Sequence, residues 1–277
     1  MTFARPTPDW ALLKFFALAY AVMWTSFFSV AAMSARTPGR GLLLFLGPFA
    51  PSLAALCLTA RADGRQGVRA LLRPMLRWRV GARWYLFAIG YMAVLKLTVA
   101  FLHRVVAGSW PRFGHDLPGV IVAAIVISTP FQAGEEVGWR GYALPRLVSR
   151  FGVGRASLLL GVAWACWHLP QFFIPEADTY GQSFLVFTIQ VTALSVAMAW
   201  LWVRTGGSLL LTMLMHAAVN NSKDIVPSVT LGARNVFGLH ASLVAWLTVT
   251  LMWAWAAYFL VRMSPMELRR RAECQVR

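Results

Sequence analysis

The sequence has 277 residues, of which 58% are hydrophobic and only 13% are charged. A water-soluble domain carries about 25% charged residues, so this composition excludes an ordinary soluble enzyme. The formal net charge is +16, because 26 basic residues stand against 10 acidic ones. Cys57, Cys166 and Cys274 are isolated in the sequence, which indicates neither a disulfide framework nor a cysteine metal site. The composition indicates an integral membrane protein.

Eight apolar stretches follow one another along the chain, and a bilayer crossing requires about 20 apolar residues in a helix. Because these stretches are continuous and do not alternate in polarity, we expect helices and no strands. The third is interrupted by Lys96, and the seventh is short. We predict an all-α, polytopic membrane helix bundle in which residues 1–277 form one domain. The predicted spans are 15–35, 41–60, 84–102, 117–134, 156–175, 179–203, 205–222 and 235–261.

Basic residues are distributed unequally between the two sides of this bundle. With eight spans, 18 lysines and arginines fall on the side of both termini and six on the opposite side. The excess predicts cytoplasmic termini, and we expect a bacterial inner membrane. Within segment 61–83, arginines recur every four residues from Arg65 to Arg77. This spacing predicts a basic amphipathic helix on the cytoplasmic leaflet, with a solvated charged loop as the alternative.

Two adjacent carboxylates, Glu135 and Glu136, directly follow the apolar run of the fourth span. They repel each other at a membrane boundary, so at least one needs a compensating partner. Arg140 lies four residues after Glu136, the separation at which the two side chains meet on a helix. Glu135 lies about 100° further around the helix and is free to act as a general base for water. A structural Glu136–Arg140 clamp with Glu135 at the headgroups remains the alternative.

Two histidines lie within apolar spans. We expect His168 midway along the fifth span and His216 on the seventh, where Asn220 shares its face at four residues' distance. A single buried histidine is more often a packing residue than a ligand. However, three spans each bring polar groups whose exposure to lipid is costly. We therefore expect the six polar residues named in this and the preceding paragraph to converge on one internal cavity.

The polar residues form three motifs in the region 119–222. They are Glu-Glu-x-x-x-Arg at 135–140, aromatic-x-x-x-His at 164–168 and His-x-x-x-Asn at 216–220. In order and spacing they resemble the motifs of the CAAX prenyl protease and bacteriocin-processing (Abi) family of intramembrane endopeptidases. That family is named after members that remove the last three residues following a prenylated cysteine. The resemblance covers most of the chain from the second span onward.

The resemblance implies a conical internal cavity formed by the fourth, fifth and seventh spans. It implies that Glu135, helped by His168, activates the hydrolytic water, and that His216 and Asn220 donate hydrogen bonds to the oxyanion. Glu136 and Arg140 would hold the site together. The implied substrate is a membrane-anchored protein or peptide, prenylated or otherwise lipid-anchored. We expect the lipid bilayer as a partner and no nucleic acid, with the cavity opening toward the cytoplasm or laterally to lipid.

The motifs leave two questions open. Glu135, His168 and His216 would satisfy the three-ligand rule for catalytic zinc or another divalent metal, but no His-Glu-x-x-His pair fixes two ligands on one helix. We favour a site without a tightly bound metal. The alternative function is a non-catalytic membrane scaffold or immunity protein of the same fold. A transporter is disfavoured because no repeated half is found in the sequence.

Overall fold

The computed structural model describes residues 9–34, 36–228 and 235–264. Both chain ends, whose cytoplasmic position the charge distribution predicts, lie outside these ranges, as does Cys274. The described residues are helical or in connecting turns, and no strand occurs among them. The prediction of an all-α membrane helix bundle is therefore confirmed. The α-helices are α1 (Asp9–Ala32), α2 (Arg40–Leu72), α3 (Ala82–Ala107), α4 (Pro118–Ser128), α5 (Ala133–Glu136), α6 (Leu144–Trp167), α7 (Phe184–Arg204), α8 (Leu209–Ser222) and α9 (Leu243–Arg262).

Six helical stretches in the described part are long and apolar enough to cross a membrane. One of them, Pro118–Phe173, covers nearly all of both the fourth and the fifth predicted spans. The seventh corresponds to α8, whose 14 residues are shorter than a full crossing requires. The count of eight spans therefore stays a prediction. The six stretches are Trp10–Ala32, Arg40–Leu76, Ala82–Ala107, Pro118–Phe173, Phe184–Arg204 and Leu243–Arg262.

Two glycines divide long helices because they adopt left-handed backbone angles that other residues avoid. Gly64, with φ 60°, separates the apolar part of α2 from its basic C-terminal part. Gly152, with φ 73°, separates two parts of α6 in the same way. Beyond Gly64 the chain is helical through Leu76. The arginines of this basic segment are exposed, whereas its apolar residues Val68, Leu71, Leu72 and Met75 are half-buried.

Helix α7 is the central element of the bundle. In its most apolar window 72% of the residues are buried, compared with 28–39% in the other membrane-length stretches. It packs closely on α6, where a Cβ at Gly161 would lie 2.7 Å from Cα of Thr192. Oγ of Ser195 donates to the carbonyl oxygen of Ser157 at 2.9 Å, which ties the same two helices. The helix that carries most of the second motif is thereby held against α7.

Candidate active site

The first motif is held in place by α2. After α4, the chain forms a 3₁₀ turn (Thr129–Gln132), the short helix α5 and a π-helical turn (Val137–Ala143). Oγ of Ser52 donates to the carbonyl oxygen of Ala133 at 2.6 Å and accepts from the amide of Gly138 at 3.2 Å. A Cβ at Gly138 would lie 2.5 Å from the backbone of Pro51, so only glycine permits this approach. π-Helical turns are frequent at functional sites.

Glu136 is the centre of a fully buried charge cluster. Its Oε1 accepts from Nη1 of Arg140 at 2.8 Å and from Nδ1 of His216 at 2.9 Å. Glu136 and Arg140 are both 0% exposed, and His216 is 4% exposed. Because an ionised carboxylate can only accept, Nδ1 of His216 carries the proton in this contact. The cluster connects the π-helical turn directly to α8.

Trp164 connects the three motifs. Its Nε1 donates to Oε2 of Glu135 at 2.7 Å, and the guanidinium of Arg140 lies 4.2 Å from the centre of its ring. The rings of His216 and Trp164 meet edge to face, with 5.2 Å between centroids. Trp164 itself is 2% exposed. One indole therefore contacts a side chain from each of the other two motifs.

His168 lies at the end of a helix and not midway along one, so that expectation was wrong. Helix α6 ends at Trp167, and a 3₁₀ turn over Leu169–Phe173 follows. The physical reason is Pro170, since helices usually end before the residue that precedes a proline. Nδ1 of His168 lies 2.8 Å from the carbonyl oxygen of Trp164. A carbonyl only accepts, so Nδ1 is the protonated nitrogen and Nε2 of the neutral ring is an acceptor.

Four of the six polar residues line one cavity of about 330 Å³. They are Glu135, His168, His216 and Asn220, which come from α5, the end of α6 and α8. Glu136 and Arg140 do not line it but lie behind it, fully buried. The structure therefore brings together all six residues that the sequence singles out, in two layers. The residues of the cavity-lining layer are able to contact a ligand. The two buried residues behind them contact His216 and Trp164 and so fix the positions of these side chains.

Comparison with known proteins points to the same part of the chain. Residues 115–222, which include all six residues, match the family model described as type II CAAX prenyl endopeptidase Rce1-like. Over this segment the chain is similar to the CAAX protease (Abi) family. A stretch of 98 residues is 30% identical to CAAX prenyl protease 2 of Methanococcus maripaludis, covering 33% of this chain and 36% of that protein. The chain thus matches about a third of the length of this curated relative.

The described residues of the candidate active site contain no ready metal site. Within residues 9–34, 36–228 and 235–264, no three His, Cys, Asp or Glu side chains lie close enough to hold one metal ion. The three ligands that the sequence offers, Glu135, His168 and His216, line one cavity but do not form a ligand set in this arrangement. The absence of a tightly bound metal stays a prediction, and no step below is routed through a metal.

Two cavity residues received no functional role from the sequence. Trp164 belongs to the second motif, but an indole within an apolar run gives no sign that its N–H meets a carboxylate. Lys96 of α3 also lines the cavity and is 2% exposed. The sequence does contain a sign of this role, because Lys96 interrupts an otherwise apolar span, and ionisable residues within spans are functional candidates by default.

The exposed part of the cavity lining around Asp178, here called the mouth, and the basic segment lie at opposite ends of α7. Asp178 and Thr179, which line the cavity, precede the first residue of α7. At the other end, Nη1 of Arg77 donates to the carbonyl oxygen of Gly206 at 2.6 Å. The 21 residues of α7 separate these ends by about 31 Å. A cytoplasmic opening is therefore incompatible with a cytoplasmic basic segment, and only one of these two expectations can hold.

Proposed function

We propose that this protein is an intramembrane endopeptidase that hydrolyses a peptide bond of a membrane-associated, lipid-anchored protein or peptide. The observation that carries the proposal is the cavity shared by Glu135, His168, His216 and Asn220. Its chemistry is that of peptide hydrolysis, which requires a base beside water and donors beside the developing negative charge. The match of residues 115–222 to the Rce1-like CAAX prenyl endopeptidase model supports the same reaction.

Glu135 and His168 supply the base side of this reaction. Trp164 occupies Oε2 of Glu135, so Oε1 is the oxygen available to accept a proton from water. Nε2 of His168 is also an acceptor, because Nδ1 donates to the carbonyl oxygen of Trp164. A water molecule between these two acceptors directs a lone pair toward the substrate carbonyl. Glu135 takes the proton during attack and returns it to the leaving amine.

His216 and Asn220 supply the donor side. Asn220 presents an amide N–H₂, which donates without any change of charge. His216 donates to Glu136 through Nδ1, so a second donation from Nε2 to the oxyanion requires the doubly protonated ring. Glu136 is then the counter-ion of that ring. Preorganised donors of this kind stabilise an oxyanion more than water does.

The activity test uses purified protein with a panel of fluorogenic peptides that carry a prenylated, acylated or unmodified cysteine near the C-terminus. We expect cleavage of at least one lipidated peptide, a loss of about a hundredfold or more for Glu135→Gln, and no loss after dialysis against a chelator. Glu176→Gln is the matched control, since Glu176 pairs with Arg40 at 3.0 Å and does not line the cavity. A folded wild-type protein that cleaves no peptide would favour the scaffold alternative.

We further propose that the mouth faces away from the cytoplasm, in a bacterial inner membrane with cytoplasmic termini. The support is the charge asymmetry of the loops together with the position of the mouth at the N-terminal end of α7. With the native cysteines replaced, Tyr180→Cys near the mouth should react in intact cells with a membrane-impermeant maleimide. Arg69→Cys should react only after lysis. The reverse pattern would place the mouth in the cytoplasm.

A further inference from the structure

Lys96 places a buried amine in the cavity, from a helix that carries none of the residues assigned to hydrolysis. It lies on α3, is 2% exposed and lines the same cavity as Glu135. Its Nζ donates to Oγ of Ser228 and, at 3.4 Å, to Oγ1 of Thr248 on α9. An ammonium group has three donors. Contacts within the described ranges account for two of them, and both acceptors are neutral hydroxyls.

The other buried or cavity-lining cations differ from Lys96 because they have carboxylate partners. Arg140 pairs with Glu136 at 2.8 Å. Lys223, which also lines the cavity, pairs with Asp178 at 2.8 Å and with Asp224 at 3.6 Å. Lys96 has no carboxylate oxygen within 4.0 Å among the described residues. A buried charge without a counter-ion in direct contact is costly, so an anion that enters the cavity and contacts Lys96 gains a strong partner.

We propose that Lys96 binds the C-terminal carboxylate of the peptide that is cleaved. This inference rests on the proposed endopeptidase function and specifies its substrate as a chain end with a free carboxylate. Lys96 and Glu135 line one cavity of about 330 Å³, so a short chain end beyond the scissile bond can place its carboxylate beside the amine. The interaction is a charge-assisted hydrogen bond, and such bonds are shorter and stronger than neutral ones. An internal segment of a longer chain would leave Lys96 without its anion.

The competing explanation is that Lys96 only ties α3 to α9 through the two hydroxyl groups. The two roles predict different effects of the substrate's C-terminal group on the rate of hydrolysis. A tether affects all substrates equally, whereas a carboxylate site acts only on substrates that carry the carboxylate. The test therefore compares two fluorogenic lipidated peptides that are identical except for a free acid or a carboxamide at the C-terminus.

For the wild type we expect kcat/KM to be about 10- to 100-fold higher for the acid than for the amide. Lys96→Met should remove this preference by lowering the acid rate, and should leave the amide rate within about twofold of wild type. Lys96→Arg should retain part of the preference. Lys223→Met is the matched control, since it removes a cavity cation that already has carboxylate partners, and it should retain the preference. Equal wild-type rates, or equal losses for both peptides in Lys96→Met, would overturn the proposal.

A binding measurement separates this inference from the proposed function. The Glu135→Gln variant should bind the labelled acid peptide more tightly than the amide, and Glu135→Gln/Lys96→Met should bind both equally. If the wild type cleaves neither peptide, the endopeptidase proposal fails, and this binding comparison still decides the role of Lys96. Equal binding of acid and amide by Glu135→Gln would overturn the carboxylate site even if cleavage is observed.

Discussion

Nε1 of Trp164 donates a hydrogen bond to Oε2 of Glu135 at 2.7 Å. The backbone carbonyl oxygen of Trp164 also accepts a hydrogen bond from Nδ1 of His168 at 2.8 Å. Trp164 therefore orients both groups that face the water molecule in the proposed mechanism. It is a positioning residue, because it acts on the reaction through Glu135 and His168.

Trp164→Phe keeps an aromatic ring beside Arg140 and removes the indole donor. We expect kcat to fall by about tenfold to a hundredfold, because small misplacements of a catalytic group have effects of this size. Peptide hydrolysis per folded molecule measures the change. Trp253→Phe is the control, since its Nε1 donates to the carbonyl oxygen of Ile189 and neither residue lines the cavity. Equal kcat values for both variants and the wild type would exclude a positioning role.

The two adjacent asparagines of α8 provide a second matched pair. Asn220 lines the cavity, whereas Nδ2 of Asn221 donates to Oγ of Ser128 at 2.9 Å and to the carbonyl oxygen of Ala217 at 2.8 Å. Asn220→Ala should lower kcat by about a hundredfold to a thousandfold, as loss of an oxyanion donor does. Asn221→Ala should retain kcat and lose about 1–3 kcal/mol of stability. Thermal unfolding and kcat, measured on both variants, must show this opposite pattern.

The buried pair of Glu136 and Arg140 leads to a prediction about stability. Arg140→Met leaves a carboxylate that is 0% exposed with His216 as its remaining partner within the described ranges. We expect the free energy of unfolding to fall by about 3–5 kcal/mol, the usual effect of removing one member of a buried pair. Glu136→Gln/Arg140→Met should lose less than the sum of the two single variants, because the pair is coupled. Denaturant titration in detergent measures all three, and additive losses would contradict the coupling.

The sequence predicts which polar residues lie together better than it predicts the helices that carry them. The spacing of Glu136 and Arg140 is sufficient to predict their contact, because four residues bring two side chains together even where the helix widens to a π-turn. Convergence of His168 and His216 with Glu135 follows from the cost of exposing polar groups to lipid. The hydrogen bond from Trp164 to Glu135 cannot be predicted from the sequence, since nothing near a tryptophan in the sequence indicates which group its indole N–H contacts.

The stretch from Arg140 to Arg155 shows why the loops were harder to predict. Its four arginines are typical of a loop between two spans, yet the chain remains helical through most of it. Arg140 is buried because Glu136 neutralises it. Arg146 packs over the ring of Tyr142 at 3.5 Å and donates to the carbonyl oxygen of Tyr142 at 2.9 Å. These compensations depend on the tertiary arrangement, and composition alone cannot reveal them.

The close contact of α6 and α7 should control the position of the second motif. A Cβ at Gly161 would lie 2.7 Å from Cα of Thr192, so Gly161→Ala must push the two helices apart. We expect a loss of about 1–3 kcal/mol, the usual cost of overpacking a core. Because Gly161 lies three residues before Trp164, kcat should fall as well. Gly90→Ala on α3 is the control, since a Cβ there meets nothing within 4 Å. The unfolding temperature and the hydrolysis rate should therefore be unchanged in Gly90→Ala, and both should fall in Gly161→Ala. A Gly161→Ala protein as stable as the wild type would show that the two helices do not meet as closely as described.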